Sequence, residues 1–243
     1  MDKPTRSHET EIEISATPAE IWEAITEAEG IARWFAPEAK TEKGVGGKVW
    51  ISWGGGMEFT STIAKWDPKK HLRWESSPRA PKSDPTAMAQ LATDFYIEAK
   101  AGGTAVLRLV QSGFGMEASW DGEFDGTKHG WAVFFRILKH ALERHKGKKS
   151  YQANLYEPLI GDATKQSAWT NLSTRFAGSI DSAHEPDDVV VISQVWNEAL
   201  IWFTTTKKYV SASFVTYGME LDRFEAAKLE LEATMKQAAG HSA

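Results

Sequence analysis

The side chains in this sequence that offer chemistry are aromatic before they are ionic. The 243 residues include 11 tryptophans, and an indole is favourable inside a protein only when its ring is buried and its N–H is satisfied. Trp34, Phe35, Trp53, Phe59, Trp74, Phe95, Trp131 and Phe135 fall where strand or helix spacing turns them inward. Such a set either fills a core or walls a cavity for an apolar molecule, because small-molecule sites are mostly apolar with a few polar anchors. The anchor expected here is Arg108, in the strand TAVLRLVQ, where one residue of register separates interior from solvent. Glu58 and Asp94 have the same standing. An inward pair of Arg108 with Glu58 or Asp94 is what a hydrolase or cyclase using the cavity would need. The segment Gln111–Met116 (QSGFGM) carries Phe114 and Met116 between glycines. It reads either as a flap that closes those two side chains over a ligand or as a plain loop with both tucked in.

Other reaction chemistry finds little support. The sequence has no cysteine, which excludes disulfides, thiolate nucleophiles and Cys-based zinc sites and suits a reducing cytoplasm. No G-x-S-x-G elbow, dinucleotide fingerprint, phosphate loop or H-E-x-x-H is present. Of seven histidines, His140 and His145 are five apart, a spacing that does not bring two helical side chains together. His129 is expected at the start of a helix, solvated there, or as a cap or at a cavity mouth. No catalytic residue, metal or cofactor is therefore assigned.

A formal net charge of -5 argues against a nucleic-acid partner. Apolar runs are too short to span a bilayer, and the polar N-terminus lacks a signal peptide's apolar core, so a cytoplasmic protein without a membrane partner is expected.

The elements that must position the rings follow from periodicity. ETEIEI (9–14) alternates as a strand with Ile12 and Ile14 inward. Thr17-Pro18-Ala19-Glu20 is a helix start with a capping box. From 38 to 112 a period of two prevails between Gly, Pro and Asp turns, predicting strands at KVWISW, Met57–Lys65, around Leu72 and Trp74, at about 90–100 and at 103–111. The spacing of Trp131, Phe134, Phe135, Leu138 and Leu142 predicts a helix over 129–146 that lays this stripe on the sheet. Beyond a Lys-Gly-Lys-Lys linker, the chain predicts a strand at 151–156, a helix at 164–176, strands near 188–196, 199–206 and 208–217, and a helix at 219–238. This is the first order in shortened form. Ala163–Trp169 even echoes Ala16–Trp22, with three identities in seven.

EIEISATPAEIWEAITEAEGIARWFAP, the Gly46-Gly47 and Asp67-Pro68 turns, and SGFG…HGWAVFFRILKHAL occur in an order that resembles the START-like (SRPBCC) superfamily, and within it the group named for the activator of the Hsp90 ATPase. The resemblance covers about residues 9–146. It implies a β-α-α-β6-α helix-grip, an antiparallel sheet wrapped around a long C-terminal helix, with a cavity between them used for apolar ligands and, in a minority of members, for cyclase or hydrolase chemistry. The expected organisation is an α+β chain with a helix-grip domain at 1–146 and an α+β extension at 150–243, either a truncated repeat or an unrelated addition. The leading expectation is binding of a small hydrophobic or amphipathic molecule. A protein-interaction, stress-response or co-chaperone-like role is the alternative that the extension motivates, with a homodimer among its forms.

Overall fold

The computed structural model describes residues 4–241. The chain separates into two compact units, Met1–Lys146 and Gly147–Ala243.

In the first unit β1 (Thr5–Ile14) leads to α1 (Pro18–Thr26). Thr17 Oγ1 accepts from the Glu20 amide at 3.3 Å while Glu20 Oε2 accepts from the Thr17 amide at 2.8 Å, and Pro18 costs the first helical turn nothing, since its N–H would be unpaired there. A short α2 (Ala28–Ile31) follows, then six strands: β2 (Glu38–Thr41), β3 (Lys48–Ser52), β4 (Glu58–Asp67), β5 (His71–Ser76), β6 (Ala92–Ala99) and β7 (Ala105–Gly115). They form an antiparallel seven-stranded sheet in the order β1-β7-β6-β5-β4-β3-β2. α3 (Asp121–Arg144) lies against its inner face, which is the helix-grip arrangement.

Two elements differ from expectation. α3 begins eight residues before 129, because Gly122, Gly126 and a run of polar residues weaken the apolar period there without forbidding the helix. β7 continues through Gly113 to Gly115. The segment read as either a flap or a plain loop is therefore strand up to Gly115: Phe114 lies opposite Arg6, and Gly115 opposite Thr5, after a bulge. Gly113 makes the bulge possible with φ +92° and with Gln90 O only 2.1 Å from where a Cβ would stand.

The second unit contains β8 (Ser150–Pro158), α4 (Lys165–Arg175), β9 (Ile180–His184), β10 (Asp188–Ser193), β11 (Ala199–Thr205), β12 (Tyr209–Tyr217) and α5 (Leu221–Ala238). Its antiparallel sheet runs β8-β12-β11-β10-β9. In each unit the first strand pairs with the last and the others follow in descending order, so the second repeats the first with two fewer strands. The echo of Thr17 holds in detail, since Thr164 opens α4 with its own capping box to Ser167. Leu172, Val189, Val191, Phe203, Phe214, Phe224 and Leu231 are among the residues of its core. Strand β9 has no apolar alternation, and its sequence did not announce it.

Candidate functional site between the long helix and the sheet

Alternation along the strands decides which side chains meet α3. Leu72 and Trp74 of β5, Thr93 and Phe95 of β6, Leu107, Leu109 and Gln111 of β7, and His8, Ile12 and Ile14 of β1 share the inner face. Above them α3 contributes Trp131, Phe134 and Phe135, and the turn after α2 contributes Trp34 and Phe35. Phe35 sits at the centre of the rings. Its centroid is 4.8 Å from Trp131 in a stacked pair at 19°, 5.2 Å from Trp34, and 5.0 and 4.8 Å from Trp53 and Phe134 in edge-to-face pairs. Phe95 closes on Trp131 at 5.8 Å and on Trp74 at 4.8 Å. Phe59, 46% exposed, stands at the rim against Trp53. The structure thus brings eight of the sequence-selected rings, Trp34, Phe35, Trp53, Phe59, Trp74, Phe95, Trp131 and Phe135, into one connected nest.

The indole N–H groups distinguish its members. Trp34 donates to Ala24 O at 2.9 Å, Trp53 to Phe35 O at 2.8 Å and Trp131 to Gln111 Oε1 at 3.0 Å. Trp74, only 5% exposed, has a buried Nε1 for which the described residues supply no acceptor.

Across the sheet, Trp74 is opposite Thr93, Thr93 opposite Gln111, and Gln111 opposite His8. One polar row therefore crosses four strands beneath the aromatic rings. His8, Thr93 and Gln111 are functional candidates that the sequence reading missed. The signal was available, since His8 has the same parity as Ile12 and Ile14, and Gln111 the same as Leu107 and Leu109. Burial holds the His8 imidazole below its ordinary range, Lys128 pushes the same way, and Gln111 beside the ring pushes back.

The expected anchors lie elsewhere. Arg108 points to the outer face, 3.5 Å from Glu9 and with its guanidinium 4.4 Å from the Tyr96 ring centre. Asp94 is buried on that same face, accepting from His71 Nε2 at 2.7 Å and Arg73 Nη1 at 2.6 Å. Glu58 accepts from the Trp50 indole at 3.0 Å. The inward pair of Arg108 with Glu58 or Asp94 is therefore not formed: in this register Leu107 and Leu109 take the interior and Arg108 falls between them. Phe114 is fully buried in a satellite cluster with Trp120, Ala87 and Leu91, and Met116 is 55% exposed, so the two do not close over the nest.

Two histidine expectations also change. His129 lies on the exposed side of α3 in the helix interior, because the helix starts earlier. His140 and His145 do meet, with Nε2 atoms 3.1 Å apart, because His145 is the C-cap and its φ of -128° folds it back from the helical path. Among the described residues no group of three or more His, Asp or Glu is placed to hold a metal ion, and no helix is long and apolar enough to cross a membrane.

The model of the family described as Activator of Hsp90 ATPase homolog 1-like protein matches residues 15–143, more than half of the 243. Among solved structures, the chain is similar to protein MLL2253 from Mesorhizobium loti, with 28% identity, 56% of this chain and 96% of that one covered, and a TM-score of 0.49. It is similar to the Aha1 dimer from Colwellia psychrerythraea, with 23% identity, 58% and 99% covered, and a TM-score of 0.47. The di-domain ARO/CYC BexL from the BE-7585A biosynthetic pathway aligns over 97% of this chain and 98% of its own, with 13% identity and a TM-score of 0.49. No curated protein matches the chain.

Proposed function

We propose that this chain, which belongs to the Activator of Hsp90 ATPase homolog 1-like family, binds a small amphipathic aromatic molecule between α3 and the inner face of its first sheet. The observation that carries the reading is the Trp74 indole N–H, buried beside Phe35 and Phe95 with no acceptor in the described residues. An unsatisfied buried donor costs about 1–3 kcal/mol. In a nest whose other indoles are all satisfied, such a donor marks where an outside oxygen atom is recognised. The rings supply apolar and stacking area, and the row from Trp74 to His8 supplies orientation. Among the described residues the charged candidates Arg108, Asp94 and Glu58 are engaged on the outer face, which favours binding over catalysis.

Native mass spectrometry of the freshly purified protein tests this reading. A discrete co-purifying small molecule, retained by the wild-type chain and lost from a folded Phe135→Ala variant, is the expected result. An apo mass together with no saturable binding of 2-methoxynaphthalene by calorimetry would overturn it.

A further inference from the structure

The polar row ends at β1 on a histidine whose protonation state can be worked out from its neighbours. His8 is 6% exposed, and its Nε2 lies 3.1 Å from Thr127 Oγ1 of α3. That hydroxyl is also 2.8 Å from Glu123 O and 3.2 Å from Phe124 O, the carbonyls one turn back along the helix. A hydroxyl has one hydrogen, and here the backbone carbonyls hold it. Thr127 Oγ1 must then accept, and His8 must donate from Nε2–H. A neutral imidazole protonated at Nε2 carries its lone pair on Nδ1. Nδ1 of His8 is buried and has no hydrogen-bond partner among the described residues. The rings of Phe114 and Phe124, 5.5 and 5.2 Å away by centroid, offer it none, and Gln111 beside the ring favours the protonated form, as an acceptor does, and so gives the lone pair no donor. Burial disfavours the charged form, so the lone pair persists at neutral pH.

The register separates His8 from Trp74 by three strand spacings, roughly 14 Å at about 4.8 Å each. One end of the row therefore presents an unpartnered donor, Trp74 Nε1–H, and the other an unpartnered acceptor, His8 Nδ1. A carbonyl or ether oxygen suits the first and is repelled by the second. A hydroxyl suits the second. The Arg6 guanidinium over Phe124 has its charge met by Asp121, 2.6 Å from Nη1, while its Nη2 is buried with no partner among the described residues and is a second donor near this end.

We propose that His8 Nδ1 accepts a hydrogen bond from a hydroxyl of the bound molecule, which places the ligand among hydroxylated aromatics of the phenol or naphthol type. This rests on the inner face being a binding site. Calorimetry of the full chain with 6-methoxy-2-naphthol and with 2,6-dimethoxynaphthalene, which offer Trp74 the same ether oxygen and differ only in whether the far oxygen carries a hydrogen, separates the two claims. The wild type is expected to prefer 6-methoxy-2-naphthol by about fivefold, the effect of one net hydrogen bond. His8→Leu should abolish the preference, and His8→Asn, whose Oδ1 falls near the Nδ1 position, should retain part of it. Nitrogen-15 NMR of the wild-type ring should show Nδ1 as the unprotonated, pyridine-type nitrogen, which decides the tautomer even where a variant fails to fold. Equal affinity for the two compounds, a preference that survives His8→Leu, or a protonated Nδ1 would overturn the assignment and leave the binding reading standing. Failure of both compounds to bind would overturn both.

Discussion

Trp131 of α3 and Gln111 of β7 share a hydrogen bond of 3.0 Å from the indole N–H to Oε1, and both residues are buried. It fixes the long helix over the centre of the sheet at the point where the polar row passes beneath the rings. Gln111→Leu leaves the Trp131 donor unsatisfied and is expected to cost about 1–3 kcal/mol in urea unfolding. In a cycle with Trp131→Phe the two should be non-additive by about 0.5–3 kcal/mol. Strict additivity would mean that the bond contributes nothing to helix placement.

The β7 bulge should tolerate no side chain. In Gly113→Ala the new Cβ meets Gln90 O at 2.1 Å with the backbone held at φ +92°, and left-handed strain alone costs about 1–3 kcal/mol. Gly126 of α3 is exposed with nothing within 4 Å of its Cβ position, so Gly126→Ala should stabilise by about 0.4–1 kcal/mol. Thermal melts of the two variants should move in opposite directions.

Acid should loosen the first unit through His8. Its folded pKa is depressed, chiefly by burial, so the unfolded chain takes up this proton first as the pH falls. The stabilising contribution is complete above about pH 6.5 and is lost as the pH falls from there through the folded value. Urea unfolding at a series of pH values should show a steeper loss of stability in the wild type than in His8→Leu across that window. Parallel profiles would place the acid sensitivity elsewhere.

Much of this arrangement was legible in the sequence. The capping box at Thr17 and Glu20, six of the seven strands of the helix-grip and the aromatic stripe of α3 follow from local chemistry and period, and eight rings selected on that basis do converge. What escaped reading was register and chain reversal. Arg108 was ambiguous by one residue, and only the pairing of Leu107 with Ile12 and Leu109 with Thr10 settles its face. The bulge at Gly113 carries the strand through a segment whose sequence reads equally as flap or loop, and it sends Phe114 to Trp120. His140 and His145 meet through a cap conformation that helical spacing does not encode. His8 was overlooked because the alternating run reads as a strand only from Glu9, whereas β1 starts at Thr5 and the parity of His8 with Ile14 points inward.

Trp74→Phe should separate recognition from packing. It removes the unpartnered N–H while keeping a ring against Phe95, so affinity for 2-methoxynaphthalene should fall by about fivefold, one hydrogen bond's effect, with little change for unsubstituted naphthalene. An equal loss for both compounds would assign Trp74 a packing role alone.

The most direct measurement is the set of indole N–H resonances in a proton–nitrogen correlation spectrum, with Trp74 assigned from Trp74→Phe, recorded during titration with 2-methoxynaphthalene. The signals of Trp74 and Trp131 should move saturably while those of Trp169 and Trp196, in the second unit, stay fixed. Movement confined to the second unit, or no movement at saturating compound, would contradict a binding site between α3 and the first sheet.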